Sequence, residues 1–190
     1  MIDKHYITAQ SLLEDSFRLA LMILTSGFRP SFIVGVWRGG TPVGIAVQEY
    51  FAYRGIGTRH FAIATSSYAG IDERSAQVNV LGLQQIGDGT APEDALLLVD
   101  DVFDSGRTMA AVIERINTIP GREIRIACPW YKPARNRTTI VPDFYLHETG
   151  DWLVFPHELV GLTAEEIRNG KQDLAAIMDA LQQGQGKSGD

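Results

Sequence analysis

Apolar residues at helical spacing open the chain: Leu12, Leu13, Phe17, Ala20, Leu21 and Leu24 predict an amphipathic helix over residues 9–26, capped by Thr8 and stopped at Gly27. An unbroken apolar run from Phe32 to Val36 predicts a short buried strand, followed by a helix from about 42 to 54. Arg59 to Thr65 gives the next strand. Residues 66–94 change character: Ser, Gly, Asp, Gln and Asn dominate, interrupted by Val78, Val80, Leu81 and Leu83. A long, weakly patterned stretch inside a compact domain predicts a lid, a binding loop or a mobile hairpin. The most uniformly apolar run, Ala95 to Val99, predicts a strand in the middle of a parallel sheet, with a helix over 106–118 built on Met109, Val112, Ile113 and Ile116. Glu123 to Cys128 is a further strand, strand-like pieces continue to Val154, and Thr163 with Glu166 forms a capping box for a last helix.

Strands alternating with helices predict an α/β fold: a doubly wound, mainly parallel sheet with right-handed crossovers. The tract 129–160, rich in aromatics and prolines, is expected to form a small hood with the N-terminal segment, and 184–190 a frayed polar tail. At 190 residues with 45% hydrophobic content, the chain suits a single domain whose core needs no staples. Seventeen basic against 23 acidic residues give a net charge of -6, which argues against a dedicated nucleic-acid binder. The lone Cys128 offers neither a disulfide framework nor a cysteine metal site. With no signal-peptide pattern at the start and no apolar stretch near the ~20 residues of a membrane span, a cytoplasmic location without membrane partners is expected.

The chemistry concentrates where the strand at 95–99 stops. Asp100 and Asp101 are adjacent there, Asp104 follows, and Ser105-Gly106-Arg107-Thr108 leads into the helix. Ligands of open α/β sheets bind beyond the carboxyl ends of strands, where a small-residue turn aims backbone amides and a helix dipole at an anion. The hydroxyls of Ser105 and Thr108 add donors for phosphate oxygens, while the carboxylates suit sugar hydroxyls or a hydrated magnesium ion. The plain alternative is a surface turn capped by Ser105, but adjacent carboxylates at a buried strand end cost stability unless something pairs with them. A second loop, Trp37-Arg38-Gly39-Gly40-Thr41, follows the strand at 32–36. Its glycines permit close approach of an anion and its arginine supplies a fork of donors. Gly35 to Thr41 nearly fits a P-loop, yet Gly40 stands where the phosphate-reaching lysine would be, so that reading fails.

Val99-Asp100-Asp101-Val102-Phe103-Asp104-Ser105-Gly106-Arg107-Thr108 resembles the phosphoribosyl pyrophosphate (PRPP) signature of the type I phosphoribosyltransferases, fitting it at every position. The resemblance is greatest to bacterial xanthine-guanine and hypoxanthine enzymes, and it implies a five-stranded parallel core, a flexible loop over the site and a hood that selects the base. It implies PRPP contacts from Asp100, Asp101, Asp104, Ser105, Gly106, Arg107 and Thr108, and pyrophosphate contacts from Arg38, Gly39 and Gly40. In such enzymes a non-proline cis peptide precedes the basic residue, here Trp37–Arg38. Ser67-Tyr68 resembles the start of the mobile catalytic loop, although a generic exposed loop fits that pair as well. Lys132, in Tyr131-Lys132-Pro133, would offer its ammonium to a purine 6-oxo group; Trp152 would stack on the ring, with Leu153 and Glu158 completing the base site. Trp152 among Leu153, Val154 and Phe155 is also compatible with a core role, as is Trp37. His157 departs from the aromatic residue usual in the nearest relatives. No histidine shows ligand spacing.

The implied activity transfers the phosphoribosyl group of PRPP to N9 of hypoxanthine, guanine or xanthine and releases pyrophosphate. Arg38 and Asp104 are the expected catalytic residues, Mg2+ is the expected cofactor with Asp100, Asp101 and Glu158 as its ligands, and a homodimer or higher homo-oligomer is the expected assembly. Two other readings stay open on the same fold: a PRPP-sensing regulator, and a transferase for another base.

Overall fold

The computed structural model describes residues 4–67, 78–82, 94–116, 123–172, 174–177 and 180. The chain divides into two compact units, residues 12–150 and residues 1–11 with 151–190. The sequence places the start of the hood at 129; the structure keeps residues 129–150 with the sheet and groups 151–190 with the N-terminal segment.

The larger unit is built on a parallel sheet. Its elements in chain order are α1 (Ala9–Thr25, entering from the other unit), β2 (Phe32–Trp37), α2 (Gly40–Tyr53), β3 (Arg59–Ser67), β4 (Val78–Leu81), β5 (Leu96–Val99), β6 (Val102–Phe103), α3 (Arg107–Ile116), β7 (Ile124–Tyr131) and β8 (Phe144–Glu148). β1 (Lys4–Tyr6) belongs to the smaller unit. β3, β2, β5 and β7 pair in parallel in that order, and β8 adds in parallel to the far edge of β7. β6 pairs with Trp130 and Tyr131 of β7 on the edge that β5 uses, so β6 continues the β5 line beyond Asp100 and Asp101. The parallel core is therefore five strands wide, as the resemblance implies. The apolar patch at 78–81 is an antiparallel edge strand, with Ser67 opposite Val78 and Ala64 opposite Leu81. β3 runs two residues past the expected Thr65 because that pairing extends it. Residues 68–77 and 83–93 of the expected flexible loop, Tyr68 among them, lie outside the described residues.

Alternation along the strands sends helices to both faces. Phe32, Val34, Leu96, Leu98, Ile126 and Cys128 meet Met109, Val112 and Ile116 of α3 in one buried cluster. On the opposite face, Gly44 of α2 lies against Gly35 and Val99, with a methyl at Gly44 only 3.7 Å from the Gly35 Cα. β5 has all four residues buried between these layers, the placement its unbroken apolar run predicts.

The smaller unit pairs β1 with β9 (Trp152–Val154) in parallel, Lys4 opposite Trp152. Thr163 caps α4 (Ala164–Gly170) with both arms of the capping box formed: Glu166 N–H donates to Thr163 Oγ1 at 3.2 Å, and Thr163 N–H donates to Glu166 Oε2 at 2.8 Å. Among the described residues, no helix is long and apolar enough to cross a membrane.

Candidate active site

Three segments of the larger unit converge beyond the carboxyl ends of β2, β5 and β7. The first is the turn Trp37–Thr41. Its Trp37–Arg38 peptide is cis. Thr41 closes the turn by donating its backbone N–H to Arg38 O at 3.2 Å and its hydroxyl to the same oxygen at 2.5 Å. α2 then begins at Gly40, and its first turn is largely committed already: Thr41 N–H is taken by Arg38 O, and Pro42 has no N–H to offer. Trp37 is 56% exposed, which excludes the core role considered for it. Its ring lines an apolar groove of about 430 Å³ with Ile33, Ile45 and Phe61.

The second segment, Asp100–Thr108, lies directly against the first. A methyl group on Gly39 would collide with the Asp101 carboxylate, and one on Gly40 would strike the Val99 carbonyl and sit 2.8 Å from Asp100 Cα. The two loops, some sixty positions apart in the chain, thus touch through glycines that have no room for a side chain. Asp100 serves this junction: its Oδ1 accepts from the Asp101 amide at 3.0 Å, and its carboxylate also accepts from the Gly40 amide. Burial first, and then the neighbouring Asp101 charge, push the Asp100 carboxyl well above the usual carboxylate range. Two hard carboxylate groups, one of them disfavoured from ionising by burial, make a setting in which a divalent cation would favour the ionised form. Among the described residues, no group of three or more His, Cys, Asp and Glu could hold a metal by itself, so any such ion would take its remaining oxygens from a ligand and water.

At Gly106 the second segment turns with φ +75° into α3. Ser105 Oγ accepts from the Arg107 amide at 3.4 Å, too long for a firm cap, so the hydroxyl is poorly committed to its own chain. Arg107 is exposed and Thr108 half-buried.

The third segment, Lys132–Thr138, braces the second. Lys132 N–H donates to Phe103 O and Arg137 N–H to Ser105 O, each at 2.9 Å. Asn136 holds this brace in shape: its Nδ2 donates to Ile140 O at 2.8 Å, and its Oδ1 accepts from Thr138 N–H at 2.9 Å. Lys132 is only 6% exposed, and its Nζ lies 3.4 Å from Asp104 Oδ2. Arg135, at the end of the 3-10 turn Pro133–Arg135, donates its Nε–H to Asp104 Oδ1 at 2.7 Å. Sequence reasoning assigned Lys132 and Asp104 separately and passed over Arg135, Asn136 and Thr138. Their signal was the clustering of polar and basic residues immediately after a strand that borders the acidic loop.

The structure thus brings together Arg38, Gly39, Gly40, Asp100, Asp101, Asp104, Ser105, Gly106, Arg107, Thr108 and Lys132. Ser67 ends β3. The remaining assigned residues belong to the smaller unit. Trp152 opens β9 and is 50% exposed, so it is not a core residue, while the Leu153 side chain is buried and leaves only backbone to offer a ligand. Glu158 Oε2 accepts from the Phe155 amide at 3.0 Å, closing a turn whose Phe155 and Pro156 carbonyls receive Lys171 Nζ at 2.5 and 3.0 Å. Glu158 therefore has a structural task of its own, alongside its expected role as a magnesium ligand.

Residues 7–159 match the family described as the phosphoribosyl transferase domain. No curated protein matches the chain. Among solved structures, the purine phosphoribosyltransferase from Pyrococcus horikoshii Ot3 is 28% identical with a TM-score of 0.69, over 85% of this chain and 98% of that one. The xanthine-guanine-hypoxanthine phosphoribosyltransferase of Helicobacter pylori is 21% identical with a TM-score of 0.68, over 90% of this chain and 99% of that one. A hypothetical protein from Neisseria gonorrhoeae with bound ppGpp reaches a TM-score of 0.73 at 17% identity, over 91% of this chain and 98% of that one. At such identities the last two establish the shared fold alone. The family match takes in all three converging segments, from the cis peptide through the acidic loop to its brace, and the chain belongs to the phosphoribosyl transferase family, with the type I fold.

Proposed function

We propose that the protein transfers the 5-phosphoribosyl group of PRPP to N9 of a 6-oxopurine. The bond from the anomeric carbon to pyrophosphate breaks, the bond to N9 forms, and a ring-nitrogen proton leaves the base. The observation that carries the choice of base class is the Lys132–Asp104 pair, with Nζ and Oδ2 3.4 Å apart at the end of the phosphate loop. The 6-oxo group and N7 of a purine are neighbours on one edge of the ring. A cation beside a carboxylate offers a donor to the oxo group and an acceptor to a protonated N7. Adenine presents a 6-amino group instead and would leave the lysine unsatisfied.

The Ser105–Thr108 turn and the first turn of α3 would take the 5′-phosphate, and Asp100 and Asp101 the ribose hydroxyls. Arg38 and the Gly39 amide would meet the charge that grows on the leaving pyrophosphate, with Gly40 seating the turn against Asp100. Asp100 and Asp101 would offer a magnesium ion hard oxygen donors, the remaining oxygens coming from the pyrophosphate and water. Bound there with the pyrophosphate, the ion would supply charge neutralisation of the leaving group. Trp152 would stack on the purine, and the Leu153 carbonyl would meet its 2-substituent.

The test is pyrophosphate release with PRPP, magnesium and each base in turn. Product is expected with hypoxanthine, guanine or xanthine; product with adenine or orotate alone would remove Lys132 and Trp152 from base selection. If Asp104 accepts the ring-nitrogen proton, Asp104→Asn should lower kcat by roughly 10²-fold with a smaller change in PRPP affinity. Unchanged turnover in that variant would take Asp104 out of the chemistry.

A further inference from the structure

Asp104 is held by two cations that differ in kind. Lys132 is buried and meets Oδ2 at 3.4 Å, beyond ordinary hydrogen-bond length, while the half-exposed Arg135 makes a short hydrogen bond of 2.7 Å to Oδ1. Both arise from one short stretch of chain. Arg135 N–H donates to Lys132 O at 3.0 Å, and this turn, with Pro133 at its start, returns the Arg135 side chain to the carboxylate that Lys132 approaches. Asp104 sits between the two backbone ties from Phe103 to Lys132 and from Ser105 to Arg137. The partners are therefore brought together by the backbone, not by chance meetings of long side chains.

The functional reading above requires Lys132 to turn its ammonium to the base. Asp104 would then keep a single protein cation. On that reading, we propose that Arg135 is a positioning residue for the transfer: its Nε–H anchors Asp104 Oδ1 so that Oδ2 stays directed at the ring-nitrogen edge of the base when Lys132 lets go. Arg135 need not touch either substrate. Its contact is a single bond through Nε and not a two-pronged fork, so a lysine at this position can replace much of it.

Steady-state kinetics on Arg135→Ala and Arg135→Lys, each made also with Asp104→Asn, test this. Because the guanidinium is 55% exposed and screened by water, Arg135→Ala is expected to lower kcat by only about 5-fold, with KM for PRPP within about twofold of the parent. Arg135→Lys should recover more than half of that loss. In the Asp104→Asn background, Arg135→Ala should change nothing further, because the carboxylate it positions is gone. Circular dichroism and thermal midpoints establish that each variant is folded, which its exposed site favours.

Three results would overturn the proposal: no change in kcat, an equal loss in both backgrounds, or a loss confined to KM for PRPP, which would mark Arg135 as a mere brace of the phosphate loop. A parent protein that transfers to no base at all would fail the functional reading itself and this inference with it. An active parent with a silent Arg135→Ala would remove Arg135 alone.

Discussion

The loops that follow β2 and β5 both depend on glycine, but for opposite reasons. Gly39 has φ −65° and ψ −31°, an ordinary helical conformation open to any residue. It is glycine because the Asp101 carboxylate occupies the place of a side chain, and Gly40 because the end of β5 does. Gly106, in contrast, has φ +75°, which L residues avoid, and a Cβ added there would also lie 2.5 Å from Thr138 Oγ1 and 2.8 Å from Asn136 Oδ1. The first loop is shaped by a strand distant in sequence. The second is shaped by its own turn and then secured by the 132–138 segment. In sequence the three glycines look alike, and only the packing distinguishes a requirement for space from a requirement for backbone freedom.

Gly40→Ala should therefore have the largest effect. Its methyl would meet main-chain atoms, the Val99 carbonyl and Asp100 Cα, and no rotamer change relieves a clash with backbone. We expect a stability loss of about 3 kcal/mol or more and no measurable PRPP binding, read from urea unfolding and calorimetry. A loss below about 1 kcal/mol would show that the two loops separate freely.

Gly106→Ala comes next, at about 2 kcal/mol, with part from the positive φ and part from Thr138 and Asn136. The parts separate experimentally: in a Thr138→Ala background the crowding contribution should shrink and the backbone contribution remain. Gly39→Ala should cost less, about 1 kcal/mol, because the atoms it meets are the end of a side chain that can rotate. Its functional cost should be larger than its structural one. A displaced Asp101 would lower PRPP affinity by about 10-fold, which calorimetry at fixed magnesium would detect. Unchanged affinity in that variant would detach Asp101 from the ligand.

Much of this was readable in the sequence because the relevant signals are local. β5 is an unbroken apolar run, the capping box at Thr163 is complete within four residues, and the acidic loop is one continuous string. What escaped depends on pairing at a distance. The Val78–Leu81 patch is too short to declare its state, and it becomes a strand only because β3 offers an edge. β6 is two residues long and exists through its alignment with Trp130 and Tyr131. Arg135 carried no signal of its own: an exposed arginine after Lys-Pro-Ala is an ordinary surface residue until the 3-10 turn returns it to Asp104. The 129–160 tract was aromatic and proline-rich throughout, so composition drew one boundary where the packing drew another, at Gly150.

The smallest effect belongs to a glycine that shares only half of the Gly106 problem. Gly55, just past the end of α2, has φ +72°, close to that of Gly106, but a methyl there would meet nothing within 4 Å. Its amide donates to Ala52 O at 2.9 Å, a closing bond that alanine preserves. Gly55→Ala should thus cost about 1 kcal/mol from backbone conformation alone and leave PRPP binding untouched. Set beside Gly106→Ala, it measures what the Thr138 and Asn136 contacts add to the phosphate loop. If the two variants lose equal stability in urea, those contacts exert no pressure on Gly106. The brace would then act on the loop only through its backbone ties at Phe103 and Ser105 and its hold on Asp104.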